Sequence, residues 1–266
     1  MKPVLRWAGG KRRMLKNILP HLPELTHYHE PFVGGGAVFF NLEPMKGSIN
    51  DIDKRLIRFY RTLAWNTSGV INQLNTMSMD KASYLNYRTE CFDNDSDIEF
   101  AAKYIYFNKL CFGSLMRFNS KGKFNVPFGN PATKSVYKEK ILWKAAELLQ
   151  KTLIFNVPFE DHCKLVMKLH PDLEGHLFYL DPPYAQTATT KEAYSNKFTD
   201  SDTQILRDIC LELFDHGANI IISNNELGQP HFQDFRCYSQ DFKYSVNQKY
   251  TTGKKKTELI LTKIHL

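Results

Sequence analysis

The chain has 266 residues, of which 42% are hydrophobic and 13% aromatic, so it is long enough for one large domain or one domain with an insertion. Its 35 Lys and Arg against 28 Asp and Glu give a formal charge of +7, which favours a polyanionic partner such as nucleic acid. No segment approaches the roughly 20 apolar residues of a membrane span, and the start lacks a signal-peptide core, so we expect a cytoplasmic protein.

The cysteines show neither a metal-binding nor a disulfide pattern. They are odd in number, scattered and without a C-x-x-C spacing, so the sequence predicts no disulfide framework and no zinc site. The five are Cys91, Cys111, Cys163, Cys210 and Cys237. A reducing compartment fits this usage best, and we interpret all five as structural.

Short apolar runs that end in Gly, Pro or Asp predict the buried strands of an α/β sheet. In chain order they are "THYHEPF", "GSIND", "LIFNV", "HLFYLDPPY", "ANIIISNNE" and "TELILTKI". Helical segments separate them, such as "SDTQILRDICLELFDHG", which begins with Ser and Asp caps and ends at Gly217. In the closing segments "FKYSVNQKY" and "KTELILTKI", apolar and polar residues alternate. This pattern predicts an antiparallel hairpin at the edge of the sheet.

Between about residues 53 and 140 the residue pattern changes and predicts aromatic-rich helices, in "KRLIRFYRTLAWNTSGVINQLNTM" and "DIEFAAKYIYFNKLCF". The polar run "SLMRFNSKGKFNVPFGNP" follows, and it predicts a hairpin over about residues 108–130. We therefore expect a sheet domain formed by residues 1–52 and 141–266, into which residues 53–140 are inserted as a helical domain.

A glycine turn follows the first predicted strand. In "EPFVGGGAVFF", Gly34, Gly35 and Gly36 precede a helix, and bare backbone there suits a ligand, although an ordinary tight turn is equally compatible with glycines alone. Asp51 ends the next strand, where doubly wound folds place a carboxylate on ribose hydroxyls. Because the spacing is not G-x-G-x-x-G, a single nucleoside ligand is favoured over NAD or FAD.

Two further segments hold residues without an evident structural role. "LRWAGGK" places Trp7 beside two glycines and Lys11, which taken alone is also compatible with a surface helix cap. "LFYLDPPYAQ" ends a buried strand with two prolines, which stop a ladder. A turn needs neither the carboxylate of Asp181 nor the ring of Tyr184, so this strand end is a candidate site.

In combination these motifs resemble a known family. "RWAGGK", "EPFVGGGAVFF", "NDID", "YLNYRTECF", "SLMRFNSKGKFNVPFG" and "LDPPY", in this order and over nearly the whole chain, are similar to the Dam-type, alpha-group DNA adenine-N6 methyltransferases. The resemblance implies a Rossmann-like, S-adenosylmethionine-dependent methyltransferase fold: a mostly parallel seven-stranded sheet, an antiparallel edge hairpin and an inserted helical target-recognition domain. It also implies methylation of adenine N6 in double-stranded DNA, at GATC, by base flipping and without a metal.

The resemblance assigns roles to the cofactor and catalytic residues. The implied cofactor-binding residues are Trp7, Lys11, Phe32, Gly34, Gly36, Asp51 and Asp181. The implied catalytic residues are Asp181, Pro182, Pro183 and Tyr184. In this interpretation Asp181 and the carbonyl of Pro182 accept the two amino hydrogens of adenine, which directs the nitrogen lone pair towards the methyl donor. Tyr184 then stacks on the flipped base.

The resemblance also assigns contacts to DNA. Contacts to phosphates are implied for Arg88, Asn119 and Asn125. Base reading is implied for Arg6, Leu115, Arg117 and Pro127. Arginine suits guanine, and apolar side chains suit a thymine methyl group. Two positions depart from the family pattern: Phe112 and Gly113 replace a frequent Tyr-Asn pair, so base flipping relies on stacking by Phe112, and Arg6 replaces a frequent Lys.

Other interpretations stay open at this point. N4-cytosine methylation uses the same amino-group geometry, although Ser-Pro-Pro-Tyr is more usual there. A non-catalytic DNA-binding regulator on the same fold is the alternative from another class, although the cofactor and catalytic positions are intact. We expect a monomer in solution, with double-stranded DNA as its partner and no membrane, that acts in a bacterial or phage-infected cytoplasm.

Overall fold

The structure is a computed structural model that describes residues 1–7, 9–90, 92–119, 121–132, 135–183, 198–225, 229–243 and 255–265. The α-helices of these ranges are α1 (Leu15–Ile18), α2 (Ala37–Leu42), α3 (Lys54–Trp65), α4 (Thr67–Asn75), α5 (Lys81–Thr89), α6 (Asp97–Leu110), α7 (Glu139–Gln150), α8 (Phe159–Leu169) and α9 (Asp200–Asp215). The strands are β1 (His27–Glu30), β2 (Gly47–Asn50), β3 (Leu153–Phe155), β4 (His176–Leu180), β5 (Asn219–Asn225), β6 (Arg236–Lys243) and β7 (Lys255–Lys263). Among these helices, none is long and apolar enough to cross a membrane.

The strands form a mixed sheet in the order β3-β2-β1-β4-β5-β7-β6. The pairs β1 with β4, β2 with β3 and β4 with β5 are parallel, whereas β7 is antiparallel to both β5 and β6. The predicted mostly parallel seven-stranded sheet with an antiparallel edge hairpin is therefore confirmed. The strand order reverses between β1 and β4, and open α/β sheets bind ligands outside the carboxyl ends of the strands at such a reversal.

Two element boundaries differ from the sequence prediction. β6 begins at Arg236 rather than Phe242, because β7 pairs with the earlier segment from Arg236 opposite Thr262 onwards. Residues 244–250 of the predicted strand lie outside the described residues. The cap of α9 is Thr199, which precedes the predicted Ser and Asp caps. Its hydroxyl accepts from Asp202 N at 3.1 Å while the Asp202 carboxylate accepts from Thr199 N at 2.7 Å, so two N–H groups are satisfied reciprocally.

The chain divides into two compact units. Unit 1 comprises Met1–Leu15 and Val33–Asn156, and unit 2 comprises Lys16–Phe32 and Val157–Leu266. In unit 1, α3 packs against α6 and α7. Aromatic rings fill this interior; Phe59 of α3 stacks on Tyr104 of α6 with 5.3 Å between ring centroids. The separation of residues 53–140 as a target-recognition domain is a functional interpretation and stays a prediction.

The core of unit 2 lies between the sheet and helices α8 and α9. Alternate residues of three strands face these helices, because successive side chains of a strand point to opposite faces. The strand residues of this cluster are Phe178, Leu180, Ile220, Ile222, Leu259 and Leu261, and each is at most 3% exposed. The packing of this cluster holds β4 and β5 in the sheet and thereby positions the residues at the strand ends.

Candidate active site and DNA-reading hairpin

In unit 1, the glycine turn that leads into α2 lies against the Trp7 side chain. Gly34 and Gly36 have φ angles of +47° and +64°, a region that favours glycine. A Cβ atom on Gly34 would lie 2.8 Å from Trp7 Nε1, and one on Gly35 would lie 2.7 Å from Trp7 Cβ. Both distances are shorter than real side chains allow. The structure therefore brings Trp7 and the glycine turn together, as the resemblance implies.

The carboxylate of Asp51 joins this group directly after β2. Its Oδ2 accepts from Gly34 N at 2.9 Å and its Oδ1 accepts from Asp53 N at 2.9 Å. Asn156 Nδ2 donates to the Asp51 carbonyl at 2.7 Å, which holds the backbone. Burial raises the pKa of the Asp51 carboxyl to about 6, although the two backbone donors oppose the shift. At pH 7 the group is an ionised acceptor with lone pairs beyond those that the two amides use.

Two buried tyrosines are associated with this group, Tyr60 by a hydrogen bond and Tyr104 by its electrostatic interaction with Asp51 and Asp53, and sequence reasoning missed both. Tyr60 OH donates to the Gly34 carbonyl at 2.7 Å. Tyr104 OH is buried and has no hydrogen-bond partner among the described residues. Burial raises its pKa well above the usual range, and the negative charges of Asp53 and Asp51 add to the effect. In sequence these tyrosines look like ordinary helix-core residues, because a hydrogen bond to a distant turn leaves no local pattern.

The donor set of unit 1 fits the nucleoside part of S-adenosylmethionine. A fixed carboxylate suits ribose hydroxyls. Lys11 is only 5% exposed, and its Nζ donates to the Gly9 carbonyl at 3.3 Å. A buried ammonium favours an anionic neighbour, so Lys11 is compatible with the carboxylate of an amino-acid ligand.

In unit 2, the predicted catalytic segment lies at the carboxyl end of β4. Asp181 and Pro183 are half-buried and Pro182 is buried. Because β1 pairs with β4 in parallel, the residues that follow β1 lie at the same edge of the sheet. One of them is Phe32, whose ring packs on Phe159 with 5.1 Å between centroids. Tyr184 lies outside the described residues, so its predicted stacking role stays a prediction.

Buried polar pairs line the same ends of β1, β4 and β5. Tyr28 OH donates to Glu30 Oε2 at 2.8 Å, and Tyr179 OH lies 2.7 Å from Ser223 Oγ. Burial raises the pKa of Tyr179 well above its usual range, and the charge of Asp181 adds to the shift. Both tyrosines therefore stay neutral. The only sequence signal for these pairs was the presence of polar residues inside strands that are otherwise apolar.

The polar run of unit 1 forms a hairpin with one packed and one exposed side. Isolated bridges join Cys111 to Phe128 and Phe118 to Phe124. Residues 108–110 belong to α6, so these bridges begin after the predicted start of the hairpin. Phe124 and Val126 are buried. The predicted DNA contacts of the hairpin are all exposed: Phe112, Leu115, Arg117, Asn119, Asn125 and Pro127.

Hydrogen bonds hold the exposed side chains of this hairpin in place. Arg117 Nε donates to Asn125 Oδ1 at 3.0 Å. Asn119 Oδ1 accepts from the backbone amides of Lys121 and Lys123, each at 3.0 Å, which fixes the tip. Arg88 is half-buried, and its Nη1 donates to the carbonyl of residue 126 at 3.3 Å. Arg88 is thus anchored to the hairpin, and its predicted phosphate contact stays a prediction.

Arg6 is exposed, but a buried side chain fixes its backbone. Asn108 Oδ1 accepts from Arg6 N at 2.9 Å and Asn108 Nδ2 donates to Arg6 O at 2.8 Å. Next to it, Lys109 Nζ donates to Val4 O at 2.6 Å. Burial lowers the pKa of Lys109 to about 8, with further lowering by nearby arginines. Sequence reasoning missed Asn108 and Lys109, because they stand in α6, far along the chain from the segment that they hold.

We expect Asn108→Ala to lower the free energy of unfolding by about 1–3 kcal/mol, because it leaves the amide and carbonyl of Arg6 without their partner. This corresponds to a fall in Tm of several degrees, at about 2–4 °C per kcal/mol for a chain of this size. Thermal unfolding followed by circular dichroism measures it. Asn86→Ala, at an exposed position of α5, is the control. Equal Tm values for the two variants would contradict the role of Asn108.

Comparison with known proteins gives consistent matches along the chain. The D12 class N6 adenine-specific DNA methyltransferase family matches residues 7–252. The type II methyltransferase M1.LlaDCHI of Lactococcus lactis subsp. cremoris is 31% identical, over 98% of this chain and 95% of its own. DNA adenine methylase of Vibrio cholerae serotype O1 is 32% identical over 85% and 82% of the two chains, and that of Escherichia coli (strain K12) is 28% identical over 97% and 94%. Among solved structures, the rRNA methyltransferase aviRa from Streptomyces viridochromogenes covers 97% of this chain and 88% of its own, with a TM-score of 0.42 and 10% identity.

Proposed function

Because the chain belongs to the D12 class of N6 adenine-specific DNA methyltransferases, we propose that it methylates the adenine of GATC in double-stranded DNA, with S-adenosylmethionine as the methyl donor. One observation carries the proposal for DNA reading. The side chains assigned to base and phosphate contacts in the hairpin share its exposed side, while Phe124 and Val126 anchor the opposite side. These side chains are therefore accessible together on one side of the hairpin.

The residues of unit 1 bind the cofactor in this proposal. S-adenosylmethionine supplies a methyl group on a sulfonium, which makes it a reactive donor. Asp51 accepts hydrogen bonds from the ribose, and the amides of Gly34 and Asp53 fix the orientation of its carboxylate. Trp7 offers an aromatic face beside the glycine turn, and Lys11 neutralises the carboxylate of the amino-acid part. These roles agree with those that the family resemblance assigns to the same positions.

The residues after β4 act on the target base. The exocyclic nitrogen of adenine is a poor nucleophile, because its lone pair is delocalised into the ring. Acceptance of its two hydrogens by the Asp181 carboxylate and the Pro182 carbonyl localises that pair and orients it for transfer. A base inside a duplex cannot reach such groups, so the adenine flips out at a cost of a few kcal/mol. Stacking on an aromatic side chain recovers about 1–3 kcal/mol.

The hairpin reads the flanking bases. A guanidinium can bond guanine O6 and N7 with two donors, and the Arg117 Nε bond to Asn125 orients that fork before DNA arrives. Leu115 and Pro127 present apolar surface, which suits the methyl group of thymine. Contacts from Asn119 to the phosphates would set the register without specifying sequence.

We expect cofactor binding to weaken as the pH falls through about 6, because the Asp51 carboxylate must be ionised to accept the ribose hydrogens. At pH 5 about one tenth of the carboxyls would be ionised, so the KM for S-adenosylmethionine should rise roughly tenfold between pH 7 and 5. Initial rates at saturating DNA measure this. Asp51→Asn should show the high KM at every pH and a flat profile.

The control for this titration is Asp161→Asn, at an exposed position of α8, which should keep the wild-type profile. A midpoint near pH 6 that persists in Asp51→Asn would assign the titration to another group and contradict the role of Asp51.

The function itself is tested by incubation of the protein with S-adenosylmethionine and methylation-free plasmid DNA, followed by mapping of modified bases at single-nucleotide resolution. N6-methyladenine confined to GATC supports the whole proposal. The same modification at another sequence keeps the activity and overturns the assignments of Arg6, Leu115, Arg117 and Pro127. The absence of any modified DNA base overturns the proposed DNA substrate.

A further inference from the structure

Histidines concentrate at the amino ends of β1 and β4, opposite the edge that carries Asp181. One ring nitrogen from each of His27, His170 and His176 lies within 4.8 Å of the other two. The ring centroids of His27 and His176 are 4.2 Å apart, and those of His170 lie 5.1 and 4.9 Å from them. Three imidazoles from three segments of unit 2 therefore converge on one point.

The fold of unit 2 explains why these side chains meet. In the parallel pairing of β1 with β4, His27 stands directly opposite His176, so the two side chains share one face of the sheet. α8 ends at Leu169, and His170 follows as its C-terminal cap. His29 lies two residues beyond His27, on the same face, and its Nε2 is 3.0 Å from His176 Nδ1.

Hydrogen bonds around the cluster orient the rings. Thr26 Oγ1 donates to the Gly175 carbonyl at 3.2 Å, so the same oxygen accepts from His27 Nδ1 at 3.1 Å. When His27 Nδ1 is the donor of that bond, coordination by His27 falls to Nε2. When His176 Nδ1 donates to His29, coordination by His176 likewise falls to Nε2. Metal-binding histidines almost always donate their second ring N–H in this way, which fixes the tautomer and the ring orientation.

We propose that His27, His170 and His176 bind one divalent late first-row transition-metal ion, with Zn²⁺ as the ion that fits best, in a structural site. Imidazole nitrogen is a preferred ligand of these ions, and three histidines with a water molecule complete a tetrahedral zinc site. Structural zinc sites usually have four protein ligands, so the structural role follows from the position of the cluster and not from its ligand set. Zn–N bonds of about 2.0–2.1 Å place the nitrogens roughly 3.3 Å apart. The rings therefore need to close by about 1.5 Å at most from their present separation.

The position of the cluster makes its role structural. Asp181 lies five positions after His176, just past the end of β4, which is roughly 17 Å at about 3.3 Å per residue. An ion there cannot contact the atoms that react at the other end of the strand. It would instead tie the end of α8 to the first residues of β1 and β4. The competing explanation is a metal-free histidine stack held by its own hydrogen bonds, and the two explanations differ in what added metal does.

The test uses the full-length protein after removal of metal with a chelator and dialysis. Titration with Co²⁺ should show one ion per chain with the visible absorption of four-coordinate cobalt, and Zn²⁺ should displace it. At a free Zn²⁺ concentration of about 100 times Kd, Tm should rise by roughly 5 °C. The kcat for DNA methylation should be the same with and without the ion. These metal-binding readouts do not depend on the proposed methylation activity.

Three variants make the test specific. His170→Gln, at a half-exposed ligand, should weaken Co²⁺ binding at least tenfold and abolish the visible band. Thr26→Val removes the hydroxyl that contacts His27 Nδ1 and the Gly175 carbonyl but keeps all three ligands, and it should weaken binding about tenfold, as removal of such outer partners does elsewhere. His216→Gln, at the exposed end of α9, is the control and should bind as the wild type does. Circular dichroism of the metal-free variants checks that each is folded.

The proposal is overturned if Co²⁺ produces no visible band and Zn²⁺ does not change Tm. It is equally overturned if His170→Gln and His216→Gln bind with the same affinity, because the ion would then lie elsewhere. Loss of methylation on metal removal without a change in Tm would overturn the structural role.

Discussion

Asp181→Ala should lower kcat for adenine methylation about 10³-fold or more, while the Kd for duplex DNA should stay within about twofold of the wild type. The expected loss follows from the role proposed for the carboxylate, since acceptance of an amino hydrogen matters most when the nitrogen attacks the methyl group. Preorganised acceptors and donors of this kind typically contribute 10²–10³-fold, and general bases 10²–10⁴-fold. The DNA contacts are assigned to other residues, so binding should survive.

Single-turnover methylation and fluorescence anisotropy with a GATC duplex measure the two quantities. Asp161→Ala, in the first turn of α8, is the matched control, because it removes an exposed carboxylate from the same unit. It should keep the wild-type kcat. An Asp181→Ala variant with kcat within tenfold of the wild type would overturn the mechanism. Parallel loss of DNA binding would instead indicate that Asp181 positions the DNA.

Several strands of the sheet could be predicted from sequence because each contains a short run of apolar residues that is buried in the core. The segment "ANIIISNNE" shows this, since β5 spans Asn219–Asn225 and is buried over almost its whole length. The start of β6 could not be predicted. Alternation of apolar and polar residues was present in "FKYSVNQKY", but the pairing with β7 selects the segment that begins at Arg236. Register between strands is a tertiary property, and local alternation does not contain it.

The same distinction between local and tertiary features applies to the candidate site. The glycine turn and Asp51 could be selected from residue type and local spacing, whereas the roles of the hairpin side chains are implied only by the family resemblance. The residues that hold them in place by hydrogen bonds could not be predicted from local sequence. Asn108 lies 102 positions from Arg6, and Tyr60 lies 26 positions from the carbonyl of Gly34 that it bonds. The histidine cluster is the extreme case, because His27, His170 and His176 meet only through the pairing of β1 with β4 and the end of α8.

Arg117→Ala should relax the sequence preference rather than abolish methylation. Loss of one bidentate contact to guanine costs about 1–3 kcal/mol of discrimination, so kcat/KM at GATC should fall about 5- to 150-fold. Sites in which the guanine read by Arg117 is replaced should be almost unaffected. The preference for GATC over such sites therefore shrinks by a similar factor. Competition between duplexes that differ at one outer base pair measures the ratio directly.

The Lys123→Ala variant distinguishes the contribution of base contacts from the contribution of positive charge on the hairpin. Lys123 is exposed on the same hairpin, so its removal takes away one positive charge without a base contact. It should weaken methylation of all duplexes by a similar factor and reduce the salt dependence of binding, because phosphate contacts act without regard to sequence. If Arg117→Ala also weakened all duplexes equally, Arg117 would be a phosphate contact. Asn125→Ala offers a further distinction, since it releases Arg117 Nε and should reduce the discrimination less than Arg117→Ala does.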